Sequence, residues 1–375
     1  MIHMTEKSTL LAAKVKIKRE NMAALARYRD YLRLHPKLTY LFVELTNQCN
    51  LRCLHCGSDC SRDKRQYIAT EMLLAALREI AKDFVPRTVM VCLTGGEPLL
   101  HPDFSKIVQE IVKLGFPWGM TTNGTLIDAA KAQELKAFGL GSITISLDGP
   151  EEMHERLRNV KGCFRKAVDA IERLHSVGMP IQVTSVIHKG NFPSLEAMYR
   201  LMCDMNIQSW RIINLEPIGR AKEHQHLLLS RGEMLQLLDF IREKRFSTDT
   251  PMDVLFGCSH YLSYEYEHEV RDNYFLCGAG IYVGSILCNG DIYSCLDIER
   301  RSELVQGNIA TDRFSNVWRE RFREFRMNRA DCYGRCATCG ENAFCNADSM
   351  HTWDFERNEP MFCILREGSL YDDYS

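Results

Sequence analysis

Between residues 38 and 220 the chain repeats one pattern, a short apolar run followed by a longer stretch with helical periodicity. LTYLFVEL precedes EMLLAALREIAKDF, TVMVCLTGG precedes FSKIVQEIVKLG, and PWGMTTNG precedes AAKAQELKAFG. SITISLDG then precedes FRKAVDAIERLHSVG, IQVTSVIHKG precedes SLEAMYRLMCDMN, and SWRIINLEPIG closes the series. Such alternation with brief glycine-bearing links predicts parallel β/α units, because neighbouring parallel strands need a crossover that a helix supplies. The pattern allows an open sheet or part of a barrel, and in either case functional groups gather at the carboxyl ends of the strands. The least ordinary sequences sit there: CNLRCLHC after the first run, GGEPLL after the second, then TTNG, SLDG, IHKGN and EPIGR.

The texture changes near residue 250, where Cys, Gly, Tyr and Asn become frequent and the pieces IYVGSIL and DIYSC flank the turn signal Asn289-Gly290. This predicts a small domain held together by metal more than by a large core. Residues 1–37 read mostly as one amphipathic helix packed on the β/α region. The expected division is therefore an N-terminal helical segment (1–37), the β/α region (38–225), a helical bridge (226–257) and a cysteine-rich domain (258–367). With 375 residues the chain exceeds most single cores. A net charge of -2 gives no bias toward nucleic acid or an anionic membrane. No apolar run approaches the ~20 residues of a membrane span. The stretch carrying Glu6, Lys7, Lys14, Lys16, Lys18, Arg19 and Glu20 lacks the apolar centre of a secretory signal, so the cytoplasm is the expected compartment.

In a reducing compartment, closely spaced thiols read as metal ligands or catalytic groups. Of 16 cysteines, four fall between positions 49 and 60 and nine between 258 and 363, while Cys92, Cys163 and Cys203 read as small buried hydrophobes. The C-x3-C-x2-C spacing of Cys49, Cys53 and Cys56 can hold three irons of a four-iron cluster and leave the fourth open for chemistry. A zinc site completed by His55 or Cys60 is the competing reading. On the next strand end, Gly95 and Gly96 can present backbone carbonyls and Glu97 an acceptor, a set suited to a protonated amine.

Together the cysteine loop and GGEP, in this order and separation, resemble the radical S-adenosylmethionine enzymes. The resemblance implies an α/β fold, a partial (β/α)6 TIM-like barrel with a small C-terminal cysteine-rich domain. It implies that Cys49, Cys53 and Cys56 ligate a 4Fe-4S cluster whose free iron chelates the amino and carboxylate groups of S-adenosylmethionine. One electron then cleaves the sulfonium to methionine and a 5'-deoxyadenosyl radical, which abstracts hydrogen from the substrate. His55 falls where the family meets the adenine, and Gly95, Gly96 and Glu97 where it holds the methionine amine. Asn123 in TTNG, Ser146 in SLDG, Arg158 in RLRN and Arg220 in PIGR match places that line the cofactor pocket. Their plain alternatives are a cap for Ser146 and surface cations for the arginines. Asp148 reads as a turn residue, and Cys60 as a thiol outside the three-cysteine pattern.

The second cysteine group resembles the SPASM extension of radical enzymes that mature peptides and proteins, in which seven cysteines bind two auxiliary clusters. Cys277 is followed after twelve residues by Gly290, with Cys295 beyond it, and Cys336, Cys339 and Cys345 form C-x2-C-x5-C, with Cys363 further on. Where the family's last short gap ends in cysteine, this chain has Ser349. The resemblance leaves Cys336, Cys339, Cys345 and Cys363 as a complete distal set. The proximal set keeps Cys277 and Cys295 and recruits from Cys258, Cys288 and Cys332, with Cys258 favoured because it lies upstream of CGAG; an open iron or serine ligation are the other outcomes. One or two zinc knuckles are the alternative for this region.

The resemblance to the SPASM group implies auxiliary clusters that can accept an electron from a substrate radical. The leading expectation is therefore oxidative modification of a peptide or protein, by crosslink, thioether or side-chain oxidation, with a flavodoxin- or ferredoxin-like electron donor. Sulfatase maturation fits less well, since Leu296 follows Cys295 and Asp297 comes one later. Few residues precede the barrel for a winged-helix peptide-recognition domain, so leader binding would fall to a separate partner or the N-terminal helix. Small-molecule or tetrapyrrole oxidation is the second expectation, and a non-catalytic iron-sulfur electron carrier or scaffold the third. Glu216 and Trp118 follow predicted strands and are candidates for the barrel mouth.

Overall fold

In the computed structural model, which describes residues 2–257, 259–367 and 371, every apolar run of the alternation is a strand. In chain order the elements are α1 (Ile2–Leu34), β1 (Tyr40–Glu44), α2 (Thr70–Asp83), β2 (Met90–Thr94), α3 (Phe104–Lys113), β3 (Trp118–Thr122) and α4 (Ala129–Ala137). There follow β4 (Ser142–Ser146), α5 (Glu151–Arg158), α6 (Cys163–Ser176), β5 (Ile181–Ile187), α7 (Leu195–Asp204), β6 (Ser209–Asn214), α8 (Arg231–Phe246) and β7 (Asp253–Phe256). Strands β1 to β7 lie side by side in sequence order, each parallel to the next.

The period-2 burial of the strands explains the layering. Val43, Val91, Leu93, Ile143, Ile145, Val183 and Ile212 are buried and pack outward with helix residues such as Leu77, Ile107, Leu135, Ile171, Met198 and Leu237. Each such side chain contributes about 1.5–3 kcal/mol by leaving water. On α2 the buried Leu73, Leu74, Leu77 and Ile80 recur at the three- and four-residue spacing of one helical face, with Glu71 in its first turn and Lys82 in its last. Helix α8 starts at a capping box in which the Ser230 side chain and the N3 residue Glu233 satisfy each other's backbone. The alternate strand residues Thr144, Ser146, Gln182 and Thr184 form a polar inner face. There Thr144 Oγ1 donates to Gln182 Oε1 at 3.4 Å and Gln182 Nε2 to Ser209 Oγ at 3.2 Å.

Two features differ from the expected layout. The stretch expected as a helical bridge carries α8 and also β7, which pairs with β6, so the parallel array has one more strand than the six of the alternation. Helix α1 packs on the C-terminal region instead of the β/α region. Met22 is buried with Tyr261 and Phe275, and Arg29 donates to the carbonyls of Ala343 and Phe344 at 2.8 and 3.2 Å.

After a short α9 (Ser263–Tyr266), strand β8 (Val283–Ile286) returns to the barrel and pairs in parallel with β1, from Tyr40 opposite Val283 to Val43 opposite Ile286. β9 (Asp291–Tyr293) and β10 (Gly307–Asn308) extend this edge antiparallel. The remaining elements are short: α10 (Phe314–Glu320), α11 (Gly334–Ala337), α12 (Asn342–Cys345) and the hairpin β11 (Trp353–Asp354) and β12 (Glu359–Pro360). The cysteine-rich segment is thus an extension of the same ten-stranded sheet.

Candidate functional site

The loop leaving the carboxyl end of β1 folds back on itself through backbone pairs. Cys49 N donates to Ser61 O at 3.0 Å and Leu54 N to Leu157 O at 2.9 Å. This places Cys49, Cys53 and Cys60 in one buried cluster with Leu51 and Cys163, against which Cys56 packs. Each sulfur of the trio has a donor: Leu51 N lies 3.4 Å from Cys49 Sγ, Arg158 Nη1 3.6 Å from Cys53 Sγ, and Cys60 N 3.3 Å from Cys56 Sγ. Burial pushes the Cys49 thiol up to about 12 and raises that of Cys53. The hydrogen bond from Cys60 lowers that of Cys56 to about 6. Three sulfurs in an apolar bowl, with amide and guanidinium donors turned toward them, suit thiolates that share their charge with metal. Cys60, outside the trio, is buried beside Cys56.

The GGEP turn closes over this loop. Gly96 N donates to Thr46 O at 2.7 Å and Glu97 N to Gln48 O at 2.9 Å. A Cβ on Gly96 would lie 2.2 Å from Gln48 O, so only glycine lets the two strand ends meet. Glu97 is fully buried, with Thr122 Oγ1 and Leu99 N donating to Oε1 at 2.8 and 3.3 Å and Asn123 N to Oε2 at 3.0 Å. Burial pushes its carboxyl up to about 7 against these bonds. The glycines and Glu97 thus first join the ends of β1, β2 and β3, a duty that a reading of GGEP as a ligand cradle does not include. Asn123 extends the brace: its Nδ2 donates to Asn50 Oδ1 at 2.9 Å and stands 3.9 Å from Cys49 Sγ.

Arg158 is no surface cation. It is buried, its Nε donating to Asp148 Oδ2 at 2.6 Å, and Asp148 Oδ1 accepts from Val186 N at 2.9 Å. Burial would raise the Asp148 carboxyl, yet Arg158 outweighs it and holds the group below the usual carboxylate range. Asp148 is thus more than the turn residue expected. Arg220 grips the cysteine loop from outside: Nε donates to Cys53 O at 2.9 Å, Nη2 to Cys60 O at 2.8 Å and Nη1 to Asp59 Oδ1 at 2.7 Å. These contacts make it a clamp on the loop, where a pocket-lining role was expected. The neighbouring Gly219, at φ 54°, would put a Cβ 2.4 Å from the carbonyls of Cys56 and Gly57. Ser146 ends β4 opposite Thr184 and caps no helix; the N-cap of α5 is Pro150. His55 is half-buried, and its Nδ1 is enclosed without a protein partner; burial, then the charge of Arg158, lowers the ring to about 3. A neutral imidazole with an unpaired enclosed nitrogen fits a ligand that brings its own hydrogen-bonding edge.

Trp118 departs from expectation. It begins β3, is buried in the outer core and donates from Nε1 to Phe138 O at 3.0 Å, because its large apolar ring is worth more among helices than at the mouth. Glu216 follows β6, its side chain 9% exposed and 3.1 Å from His260 Nε2, while His260 Nδ1 is 2.8 Å from Asp348 Oδ2. Sequence reasoning missed this chain, and also Arg300, whose Nη1 and Nη2 fork onto buried Glu44 and whose Nη2 reaches Ser58 Oγ of the cysteine loop. Neither has a local signature, since the partners are 88 and 256 residues apart.

The C-terminal thiols are brought together in part. Burial raises the thiols of Cys336, Cys345 and Cys363; charge on Cys363 further raises those of Cys336 and Cys345, charge on Cys336 that of Cys345, and charge on Cys339 that of Cys336. Cys277 and Cys345 line one cleft, beside Asp348 and Arg329. Cys288 turns away toward the barrel: its N–H donates to Glu44 Oε2 at 3.1 Å and its sulfur lies 3.7 Å from Gln66 Oε1. This removes it from the proximal recruits; Cys258 lies outside the described residues, as does the side chain of Cys332. Cys295 is buried with its Sγ 3.6 Å from His351 Nε2.

Comparison with known proteins agrees with this layout. The model of the radical SAM superfamily matches residues 43–202, and that of the SPASM iron-sulfur cluster-binding domain matches residues 277–340. An AdoMet-dependent heme synthase of Oleidesulfovibrio alaskensis is 26% identical, covering 83% of this chain and 82% of its own length. The mycofactocin maturase MftC of Mycolicibacterium smegmatis is 30% identical, with 82% of this chain and 76% of the maturase covered. Among solved structures, Streptococcus suis SuiB bound to precursor peptide SuiA superposes with a TM-score of 0.68 at 17% identity, over 84% of this chain and 72% of SuiB. No described helix is long and apolar enough to cross a membrane.

Proposed function

The chain belongs to the radical S-adenosylmethionine superfamily and carries a SPASM domain, and from that premise we propose that it oxidatively modifies a peptide or protein. Its cofactors are 4Fe-4S clusters and S-adenosylmethionine. When bound, the radical cluster supplies the electron that splits S-adenosylmethionine and yields the 5'-deoxyadenosyl radical that takes a substrate hydrogen. In this reading Cys49, Cys53 and Cys56 hold three irons, and Arg158 shields the sulfur of Cys53 while Asp148 holds its guanidinium. Glu97 and Asn123 keep the ends of β1 to β3 in register, and His55 offers its unpaired nitrogen to the adenine. Ser146 faces the polar barrel interior, and Arg220 keeps the loop closed. A flavodoxin- or ferredoxin-like donor supplies electrons, and the domain limits are those expected above, with β7 assigned to the barrel.

One observation carries the oxidative part: β8 pairs with β1 and β9 with β8, so Cys295, which follows the antiparallel β9, and the cysteine trio, which follows β1, are both carried by one sheet. An electron left on a substrate radical then has an auxiliary cluster on the same framework to receive it. The similarity to a mycofactocin maturase supports a peptide substrate. The similarity to AdoMet-dependent heme synthases supports a second reading, oxidation of a tetrapyrrole side chain. The deciding experiment gives reduced, reconstituted protein S-adenosylmethionine with either candidate peptides encoded nearby or an iron porphyrin, and follows 5'-deoxyadenosine and substrate mass. Peptide-dependent cleavage with loss of two hydrogens from the peptide supports the first reading; porphyrin-dependent cleavage replaces it with the second.

A further inference from the structure

Ser349 stands where the family pattern calls for a thiolate, and the structure shows what the serine does instead. It is buried, and its Oγ accepts from His351 N at 3.0 Å, capping the single turn Met350–Thr352. That turn directs the buried His351 ring at Cys295, Nε2 to Sγ 3.6 Å, and the ligand atoms of Cys295, Asp297 and His351 all lie within 4.8 Å of one another. The approach is shaped by three successive residues in the left-handed region, Asn346, Ala347 and Asp348, with φ of 55°, 59° and 65°. Asp348 holds this bend by accepting from Tyr261 N at 2.7 Å and contacting His260 at 2.8 Å. Next to Cys295 and His351 in sequence, Ser294 and Thr352 keep buried hydroxyls without a protein partner. A thiol, an imidazole and a carboxylate converging on one point form a mixed donor set for iron.

We propose that His351 Nε2 replaces the missing thiolate as a ligand of the auxiliary iron-sulfur group held by Cys295, with the Asp297 carboxylate on its exposed side. This rests on the reading that the C-terminal domain holds auxiliary clusters. A neutral imidazole in place of an anionic thiolate stabilises the reduced state, so this group has a higher potential than an all-cysteine cluster and is a better acceptor for an electron from a substrate radical.

The test uses full-length protein carrying Cys49→Ala, Cys53→Ala and Cys56→Ala, so that only auxiliary iron remains, with histidine labelled by nitrogen-15. Pulsed electron paramagnetic resonance of the reduced protein is expected to show a histidine nitrogen coupled to the cluster. In His351→Cys the coupling disappears, the iron content stays the same and the midpoint potential falls. Auxiliary iron without histidine coupling, coupling that survives in His351→Cys, or zinc in place of iron would overturn the proposal while leaving the radical reading intact. Absence of any auxiliary metal would instead remove the auxiliary-cluster reading, and this proposal with it. Where His351→Cys fails to fold, absence of histidine coupling in the unsubstituted His351 protein still overturns the proposal.

Discussion

The two cysteine regions are built by different means. The barrel loop draws its three thiols from eight consecutive residues, so one short segment sets their spacing, and backbone bonds to Ser61, Leu157 and Arg220 fix that segment on the barrel. The C-terminal thiols come from positions spread between 277 and 363, on short turns stitched by long-range side-chain bonds such as His260 to Asp348. Local construction tolerates little change in the motif, whereas dispersed construction lets one ligand be exchanged if a turn supplies another.

The sharpest way to break this contrast is to remove each set in turn. Alanine at Cys49, Cys53 and Cys56 is expected to take away about four irons per chain and to drop 5'-deoxyadenosine below detection. Alanine at Cys336, Cys339 and Cys345 is expected to lose iron too, yet keep S-adenosylmethionine cleavage while oxidised product disappears. Iron analysis with product mass separates the cases; equal loss of cleavage in both would mean the regions are one functional unit.

The next effect concerns how the barrel loop is anchored. Asp148→Ala leaves the buried Arg158 without its partner and is expected to cost about 3–5 kcal/mol, read by denaturant unfolding of metal-free protein. Glu71→Ala, which breaks the exposed pair with Lys106, is expected to stay within about 1 kcal/mol. Similar values for both would show that Arg158 finds water or another acceptor.

This anchoring also explains what could be read from the sequence. The strand and helix alternation was legible because burial repeats with a local period, as in Ile143 and Ile145 on one face of β4, and the cysteine loop because its ligands are contiguous. Asp148 looked like a turn residue because its partners, Arg158 and Val186, are reached only once β4, α5 and β5 assemble. Strand β7 was hidden by its four residues, too few to show a period. His351 was obscured for another reason: attention falls on the serine where cysteine is expected, while the side chain that faces Cys295 sits two residues later on a turn that the serine caps.

A pH titration probes the two regions separately. Burial pushes Glu97 up to about 7 from 4.5, so its contribution is fully present below pH 4.5 and lost as pH rises through 7. His260 would be lowered by burial, but Asp348 and Glu216 outweigh this and raise it from 6.5 to about 9. Its contribution is complete below pH 6.5 and lost as pH rises through 9. Each is on the order of a few kcal/mol. The protection of the Asn123 amide, taken relative to its intrinsic exchange rate at each pH, is expected to fall across the lower window and that of Tyr261 across the upper one. Glu97→Gln should flatten the first and His260→Gln the second, and a single shared transition would contradict the separation.

The smallest effects test whether the loop's outer clamp is electrostatic or a matter of hydrogen bonds. Asp59 is met by both Arg220 and Lys64, each at 2.7 Å, but only Arg220 also binds the carbonyls of Cys53 and Cys60. If charge were the source of the clamp, the two cations would be equivalent. Lys64 keeps 40% of its side-chain surface in water, so Lys64→Ala is expected to change stability by less than about 0.5 kcal/mol and to leave iron retention unaltered. Arg220→Lys keeps the charge near Asp59 yet loses the fork onto the carbonyls, with an expected cost of about 1–2 kcal/mol and several-fold faster iron loss to a chelator. Equal rates of iron loss in the two variants would assign the clamp to Coulomb attraction and remove the special place given to Arg220.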